Sequence, residues 1–289
     1  IRIIDQTLLP AEVKIVEIRT VAAAVDAIDR LAIRGAPALG AFGALALVVG
    51  LDEQASSTFG AATRRLEELR TFIGDARPTA VNLRWAVDRV IDHAVSSTET
   101  LDDLRSALLA EALKVAEEDA AACEEIGRLG HELLRTAVTI GTHCNAGRLA
   151  TAGNGTALAP MYAKAEAGEP LRVLASETRP LLQGARLTAW ELDDAGIDVT
   201  VLPDAAMASA VLSGKVDAYI VGADRIAANG DTANKIGTVA HALAAREAGI
   251  PFYVAAPTST IDAALPSGNH IEIEERDASE VHEIQGKRV

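Results

Sequence analysis

Val221-Gly-Ala-Asp-Arg-Ile-Ala-Ala-Asn-Gly-Asp-Thr-Ala-Asn-Lys-Ile-Gly237 decides how this 289-residue chain folds. It starts at the end of an apolar run, Val216-Asp-Ala-Tyr-Ile-Val221, that reads as a strand buried on both faces of a parallel sheet. Asp224 follows directly, at the carboxyl end where open α/β sheets place their ligand crevice. Asn229-Gly230-Asp231 is a turn signal. Asn234 and Lys235 are expected to open a helix, which puts an amide, an ammonium and unsatisfied backbone N–H groups together. A carboxylate at a strand end facing a cationic helix start suits proton chemistry on a phosphorylated substrate.

Outward from this segment, short β-rich runs alternate with Ala-rich helical ones. Strands are expected at Ala137–Thr142, Arg172–Ala175, Asp198–Leu202, Asp217–Val221 and Pro251–Ala255, with a further one at His270–Ile273. Their spacing fits a strand plus a crossover helix, hence a parallel sheet covered on both faces. Before residue 130 the pattern is helical. Val21–Ile33, Ala38–Leu51, Ala61–Ile73, Val81–His93 and Leu101–Arg128 carry apolar residues three and four apart. Thr100 followed by Asp103 is an N-terminal cap signal, and Gly130 marks a helix end and a boundary. The expected fold class is α/β: a mainly helical N-terminal domain, residues 1–129, and a Rossmann-like, doubly wound parallel-sheet domain, residues 130–289.

Hydrophobic residues make up 49% of the chain and charged residues 24%, the profile of a globular protein. Aromatics are only 3%, so Ala, Leu, Val and Ile must fill the core. A net charge of −14 argues against a nucleic-acid partner, which needs clustered Lys and Arg. Gly35 to Leu51 is uncharged but starts with a turn-like Arg-Gly-Ala-Pro, and reads as a buried helix rather than a membrane span. No secretion signal is read at the start. Two cysteines, Cys123 and Cys144, make no disulfide framework and point to a reducing cytoplasm.

Several segments carry polar chemistry. Thr142-His143-Cys144-Asn145-Ala146-Gly147 ends the first α/β strand, with Gly147, Gly153 and Gly155 placed where backbone N–H groups approach a phosphate. Cys144 there reads either as a buried structural thiol or as one with a lowered pKa. Cys123, on a helical stretch, reads as structural. Ser176-Glu177-Thr178-Arg179-Pro180 ends the next strand, and Arg179 is equally a phosphate ligand or the salt-bridge partner of Glu177. Gln183 suits sugar hydroxyls or a helix cap. Arg34-Gly35-Ala36-Pro37 resembles an anion-binding helix start, and Arg77-Pro78 repeats the theme. No His/Cys/Asp cluster has metal-ligand spacing, and neither a dinucleotide fingerprint nor a phosphate-binding P-loop motif is present, so neither metal nor cofactor is expected.

Together these segments resemble the methylthioribose-1-phosphate isomerases. That family also contains ribose-1,5-bisphosphate isomerases and regulatory subunits of the factor that exchanges nucleotide on translation initiation factor 2. The matching blocks are RGAPALG at 34–40, RPTAVNL at 77–83, THCNAGRLAT at 142–151, SETRPLLQGARLTAWEL at 176–192, GADRIAANGDTANKIGT at 222–238 and HIEIEERD at 270–277. The resemblance implies a cytoplasmic homodimer of the methionine salvage pathway with its active site between the two domains. It implies an aldose–ketose isomerase that converts 5-methylthioribose 1-phosphate to 5-methylthioribulose 1-phosphate. By position, Cys144 and Asp224 fall on the family's catalytic pair. Arg34, Gly35, Ala36, Arg77, Gln183, Asn234 and Lys235 fall on its substrate-binding positions. Asp224 is expected in a partly apolar pocket that tunes it towards neutral pH. The alternatives are a ribose-1,5-bisphosphate isomerase, with extra cations for a second phosphate, and a non-catalytic regulatory subunit, which would not need the Cys144/Asp224 pair.

Overall fold

The structure, a computed structural model, describes residues 1–54, 56–78, 80–284 and 287–288. Thr79, inside the 77–83 block, lies outside the described residues. The chain divides into two compact units, residues 1–122 with 149–153, and residues 123–148 with 154–289.

The first unit opens with an antiparallel pair, β1 (Arg2–Ile4) and β2 (Ile15–Glu17), followed by helices α1 (Val21–Asp29), α2 (Ala36–Glu53), α3 (Phe59–Gly74) and α4 (Val81–Ser97). Threonine caps start two of them: Thr20 accepts from Ala23 N–H and Thr58 from Ala61 N–H. The helix expected to run to Ile33 stops at Asp29, and Leu31 takes a left-handed conformation (φ 62°). Helix α2 is the uncharged segment. Pro37 sits in its first turn, and residues on all sides of it are buried, from Leu39 and Phe42 to Leu47 and Leu51. A helix that is apolar all round belongs in a core. Its neighbours there include Leu66 and Leu69 of α3 and Leu83, Val87 and Val90 of α4. Helix α5 (Leu101–Leu133) begins at the Thr100 cap, where Asp103 N–H donates to Thr100 Oγ1 at 3.2 Å and the hydroxyl donates to the Asp103 carboxylate at 2.7 Å. It passes through Gly130 rather than ending there. A Cβ at Gly130 would lie 2.3 Å from Pro160, so this glycine serves close packing inside the helix.

The second unit is built on a five-stranded parallel sheet: β3 (Thr139–Thr142), β4 (Arg172–Ser176), β5 (Asp198–Leu202), β6 (Ala218–Val221) and, beyond an antiparallel pair β7 (Arg225–Ala227) and β8 (Thr232–Ala233), β9 (Phe252–Val254). The spatial order is β5-β4-β3-β6-β9. The chain adds strands outward from β3 in one direction, then returns to its other side with β6, so the order reverses between β3 and β6. Helices α6 (Ala159–Glu166), α7 (Ala189–Asp194), α8 (Asp204–Leu212) and α9 (Thr238–Ala248) connect them. Side-chain alternation divides the core in two. Ile140, Val173, Ala218 and Ile220 join Met161, Tyr162 and Leu192, from α6 and α7. Leu174, Tyr219 and Val221 join Met207, Val211 and Ala244, from α8 and α9. Both faces are therefore covered, as the continuous apolar strands require.

The strand expected at His270–Ile273 is absent. Residues Gly268–His270 form a short 3-10 turn, Ile273 is 68% exposed, and among the described residues no strand pairs with this stretch. Alternation of Ile and Glu gives a strand only when a neighbour supplies the hydrogen-bonding ladder. Leu66 is fully buried in the helical core. Leu66→Ala is expected to lower unfolding free energy by about 2–5 kcal/mol, measured by denaturant titration of the helical signal.

Candidate active site

The site residues of the second unit gather at the carboxyl ends of β4, β3 and β6. Thr142 ends β3 opposite Ile220, and its hydroxyl donates to the Ile220 carbonyl at 2.8 Å. Tyr219 Oη returns a hydrogen bond to the Thr142 carbonyl at 3.1 Å. Cys144 lies two residues past β3, and Asp224 three residues past Val221, the last residue of β6. The loops that carry them touch: a Cβ on Gly222 would sit 3.0 Å from Ala146 Cβ. The two candidate catalytic residues thus flank the point where the strand order reverses, which is where open α/β sheets bind ligands.

Cys144 is partly buried and adopts φ 64°, a left-handed conformation that costs a non-glycine residue roughly 1–2 kcal/mol. Its N–H donates to Thr178 Oγ1 at 2.9 Å, and its carbonyl accepts from Thr188 Oγ1 at 2.6 Å. Asp224, by contrast, is exposed, and its N–H donates to the Ala233 carbonyl at 2.9 Å. The partly apolar pocket expected around this carboxylate is therefore not supplied by burial of Asp224 within the chain.

Downstream of Cys144, Gly147 lies against a buried carboxylate. Glu191 of α7 is buried, and its carboxylate accepts from Asn145 Nδ2 at 2.8 Å, Arg148 N–H at 2.6 Å and Tyr162 Oη at 2.9 Å. A Cβ on Gly147 would fall 2.2 Å from Glu191 Oε2. Gly155 in turn packs on Gly147 with φ 92°. Gly147 thus admits the protein's own carboxylate, an internal anchor for the loop after Cys144. Burial, with the Glu191 charge second, pushes the Tyr162 phenol well above its ordinary range, keeping it a donor. The Arg148 guanidinium lies 4.2 Å above the Tyr162 ring.

Gln183 is buried just before a π-helical turn (Gly184–Thr188), and its Oε1 has no hydrogen-bond partner among the described residues. A buried acceptor left open in this way suits a ligand hydroxyl. The Arg179 guanidinium donates to the backbone carbonyls of Pro180 and Val281, and among the described residues no salt bridge joins it to Glu177. Asn234 and Lys235 precede α9 instead of opening it. The helix starts at Thr238 behind Gly237, whose φ of 103° resets the chain direction. Asn234 Nδ2 donates to Thr238 Oγ1 at 3.1 Å, and Lys235 is partly buried with no salt bridge among the described residues.

Sequence spacing missed one constellation. His143, Asp204 and His241 approach so that their nitrogen and carboxylate atoms lie within 4.8 Å of one another. His143 Nε2 lies 2.7 Å from the Ile236 carbonyl and therefore carries the proton, leaving Nδ1 to accept from the Ser176 hydroxyl. His241 Nε2 lies 3.2 Å from the same Nδ1. Asp204 accepts the N–H groups of Thr178 and Arg179 at 2.8 and 2.7 Å. His143 thus ties the Cys144 strand end to the Lys235 turn through the Ile236 carbonyl, with His241 against its ring and Asp204 close by on the Thr178 and Arg179 amides. Gly237 is required there, since a Cβ would come within 3.0 Å of the His143 ring.

In the first unit, Arg34 is buried and Gly35 begins α2 with φ 100°. A Cβ on Gly35 would lie 2.6 Å from the Ala150 backbone. Ala36 opens the helix, and Arg77 is partly buried four residues before α4. The Arg77 carbonyl accepts from Ala80 N–H at 2.9 Å.

The family model for the initiation factor 2 subunit family matches residues 32–289. The chain belongs to that family. A 5-deoxyribose 1-phosphate isomerase from Moorella thermoacetica is 51% identical over 97% of this chain and 80% of its own. A methylthioribose-1-phosphate isomerase from Gemmatimonas aurantiaca is 50% identical over 98% and 82%. Among solved structures, 5-methylthioribose 1-phosphate isomerase from Pyrococcus horikoshii OT3 matches with a TM-score of 0.91 and 42% identity, covering all of this chain and 81% of that one. The translation initiation factor eIF-2B, subunit delta, from A. fulgidus matches with a TM-score of 0.88 and 41% identity, covering 100% and 84%. Family membership and the α/β fold are thus established together, on a scaffold shared by proteins named as isomerases and as translation factors.

Burial, then the neighbouring His143, pushes the His241 imidazole down to about 4, against an ordinary 6.5. Between these values the unfolded chain binds the proton and the folded chain does not. Stability from this group is full above pH 6.5 and drains away as pH falls towards 4. His241→Gln is expected to flatten the fall in unfolding free energy across that window, by up to about 3 kcal/mol, measured by denaturant titration at stepped pH.

Proposed function

We propose that the chain is an aldose–ketose isomerase that converts 5-methylthioribose 1-phosphate to 5-methylthioribulose 1-phosphate, acting as a cytoplasmic homodimer without metal or cofactor. The observation that carries this reading is the pairing of Cys144 and Asp224 at the ends of β3 and β6, on either side of the strand-order reversal. Relatives at about half identity that are named for this reaction support it. The free cysteines, Cys123 buried and Cys144 partly buried, agree with a reducing compartment.

The substrate's anomeric oxygen carries a phosphate ester, so its ring cannot open as an ordinary hemiacetal. The bond between C1 and the ring oxygen must break, the ring oxygen must gain a proton, and a hydrogen must pass from C2 to C1 while the C2 hydroxyl becomes a carbonyl. Asp224 is the acid/base for these transfers and Cys144 the second reacting group. Asp224 is exposed in the chain, which leaves its carboxylate open to the bound sugar. The C2 hydrogen reaches C1 either as a proton through an enolate or directly as a hydride. Deuterium at C1 after turnover in D2O marks the first route, since a direct hydride shift carries the C2 hydrogen over without exchange.

Lys235 holds the phosphate as a point charge, and Gln183 and Asn234 meet the hydroxyls. Substrate binding is also assigned to Arg34, Gly35, Ala36 and Arg77. In this reading residues 1–129 form the mainly helical N-terminal domain and residues 130–289 the Rossmann-like catalytic one. A second reading, favoured by the 51% identity to a 5-deoxyribose 1-phosphate isomerase, is that the enzyme takes 5-deoxyribose 1-phosphate. The two sugars differ only at C5, away from the bonds that change.

The test is turnover of 5-methylthioribose 1-phosphate, 5-deoxyribose 1-phosphate and ribose 1,5-bisphosphate by the purified protein. Conversion of the first is expected, with Asp224→Asn lowering kcat by about 10²–10⁴-fold. Preference for the bisphosphate, or no turnover of any of the three, sinks the assignment. Lys235→Ala is expected to weaken binding of the sugar phosphate by about 1.5–3 kcal/mol, read from KM or from calorimetry. Unchanged affinity would move the phosphate elsewhere.

A further inference from the structure

We propose that Thr178 and Thr188 are positioning residues that hold Cys144 in its left-handed conformation and so aim its thiol at the sugar; this rests on the catalytic reading of Cys144. Both peptide groups of Cys144 end on these hydroxyls, the N–H on Thr178 and the carbonyl on Thr188. Both threonines are fully buried. Each hydroxyl has a fixed sense. Thr178 Oγ1 donates to the Ser176 carbonyl at 3.0 Å and so accepts from Cys144. Thr188 Oγ1 donates to the Cys144 carbonyl and accepts from Asn145 Nδ2 at 3.3 Å.

The threonines are themselves held. Thr178 has φ 68°, and its N–H is fixed by Asp204. Thr188 ends the π-helical turn whose first residue, Gly184, packs so closely that a Cβ would lie 1.8 Å from the Ser176 carbonyl oxygen. Nor can the turn migrate along the chain. His143 is pinned by Ser176 and Ile236 on one side, and Asn145 by Glu191 on the other. Cys144 is thus the one residue in this stretch whose φ must be positive, and two side-chain hydroxyls replace the backbone partners a regular strand or helix would offer. A loosened Cys144 would relax towards negative φ and swing Sγ away from its direction.

Thr178→Val and Thr188→Val keep side-chain volume and remove the hydroxyl; Thr178→Ser and Thr188→Ser keep the hydroxyl. Two readouts are compared: kcat and KM for 5-methylthioribose 1-phosphate, and the rate at which iodoacetamide alkylates Cys144 in the folded protein, with the labelled peptide identified by mass. Cys123 is buried, so the two thiols separate. Each valine variant is expected to lower kcat by about 100-fold with KM near the wild-type value, and to alter the Cys144 alkylation rate. Each serine variant is expected to restore both. Valine variants that turn over and alkylate like the wild type overturn the proposal, as does a loss of activity that serine does not restore. If a valine variant does not fold, the alanine variant takes its place with the same expected readings. Cys144→Ala distinguishes the two ideas: full turnover by it would remove Cys144 from the chemistry, while the alkylation rates would still decide whether the threonines set the thiol.

Discussion

The parallel ladder that binds β3 to β4 on one side and β6 on the other is the constraint on which the rest of the second unit depends. A central strand with both edges paired cannot slip by a residue without turning its whole buried face outward. That fixes where β3 stops, and so where Cys144 leaves the sheet. The Thr142 and Tyr219 hydrogen bonds tie the ends of β3 and β6 together at that point. The strand order reverses between them, and at the carboxyl end of such a point open α/β sheets form a crevice. The candidate catalytic residues Cys144 and Asp224 leave their strands within three residues of it.

Much of the polarity around this edge is internal support. Glu191, His143, Asp204 and the two threonines are all spent on other protein groups, and each fixes a residue adjoining a candidate catalytic or binding position. The pattern gives long stretches such as 176–192 a structural reason to read as motifs. Gly147 illustrates the point. A glycine after a strand suggests a phosphate cradle, yet here it makes room for a buried carboxylate that holds the loop from behind.

The parallel sheet was legible because its strands are continuous apolar runs separated by helical ones, and the strand-end placement of Cys144 and Asp224 followed. The helix α2 was legible from an uncharged run with proline in its first turn. What failed, failed for tertiary reasons. Gly130 looked like a stop but packs under Pro160, and His270–Ile273 had strand alternation without a partner strand. Asn234 and Lys235 looked like a helix start, but Gly237 delays the helix by turning the chain with positive φ. The His143–Asp204–His241 cluster draws on residues as much as 98 apart, and no local spacing announces it.

Similar backbones belong to proteins named as isomerases and as translation factors alike, so the fold alone does not specify turnover. The proposed isomerase reading requires a sugar phosphate at the Cys144 strand end. The most direct measurement is protection: the rate of Cys144 alkylation by iodoacetamide with and without saturating 5-methylthioribose 1-phosphate, using Asp224→Asn to hold the substrate unreacted. The account predicts that the sugar phosphate strongly slows labelling of Cys144. Labelling at the same rate with and without it, while calorimetry shows the ligand bound, would contradict the account.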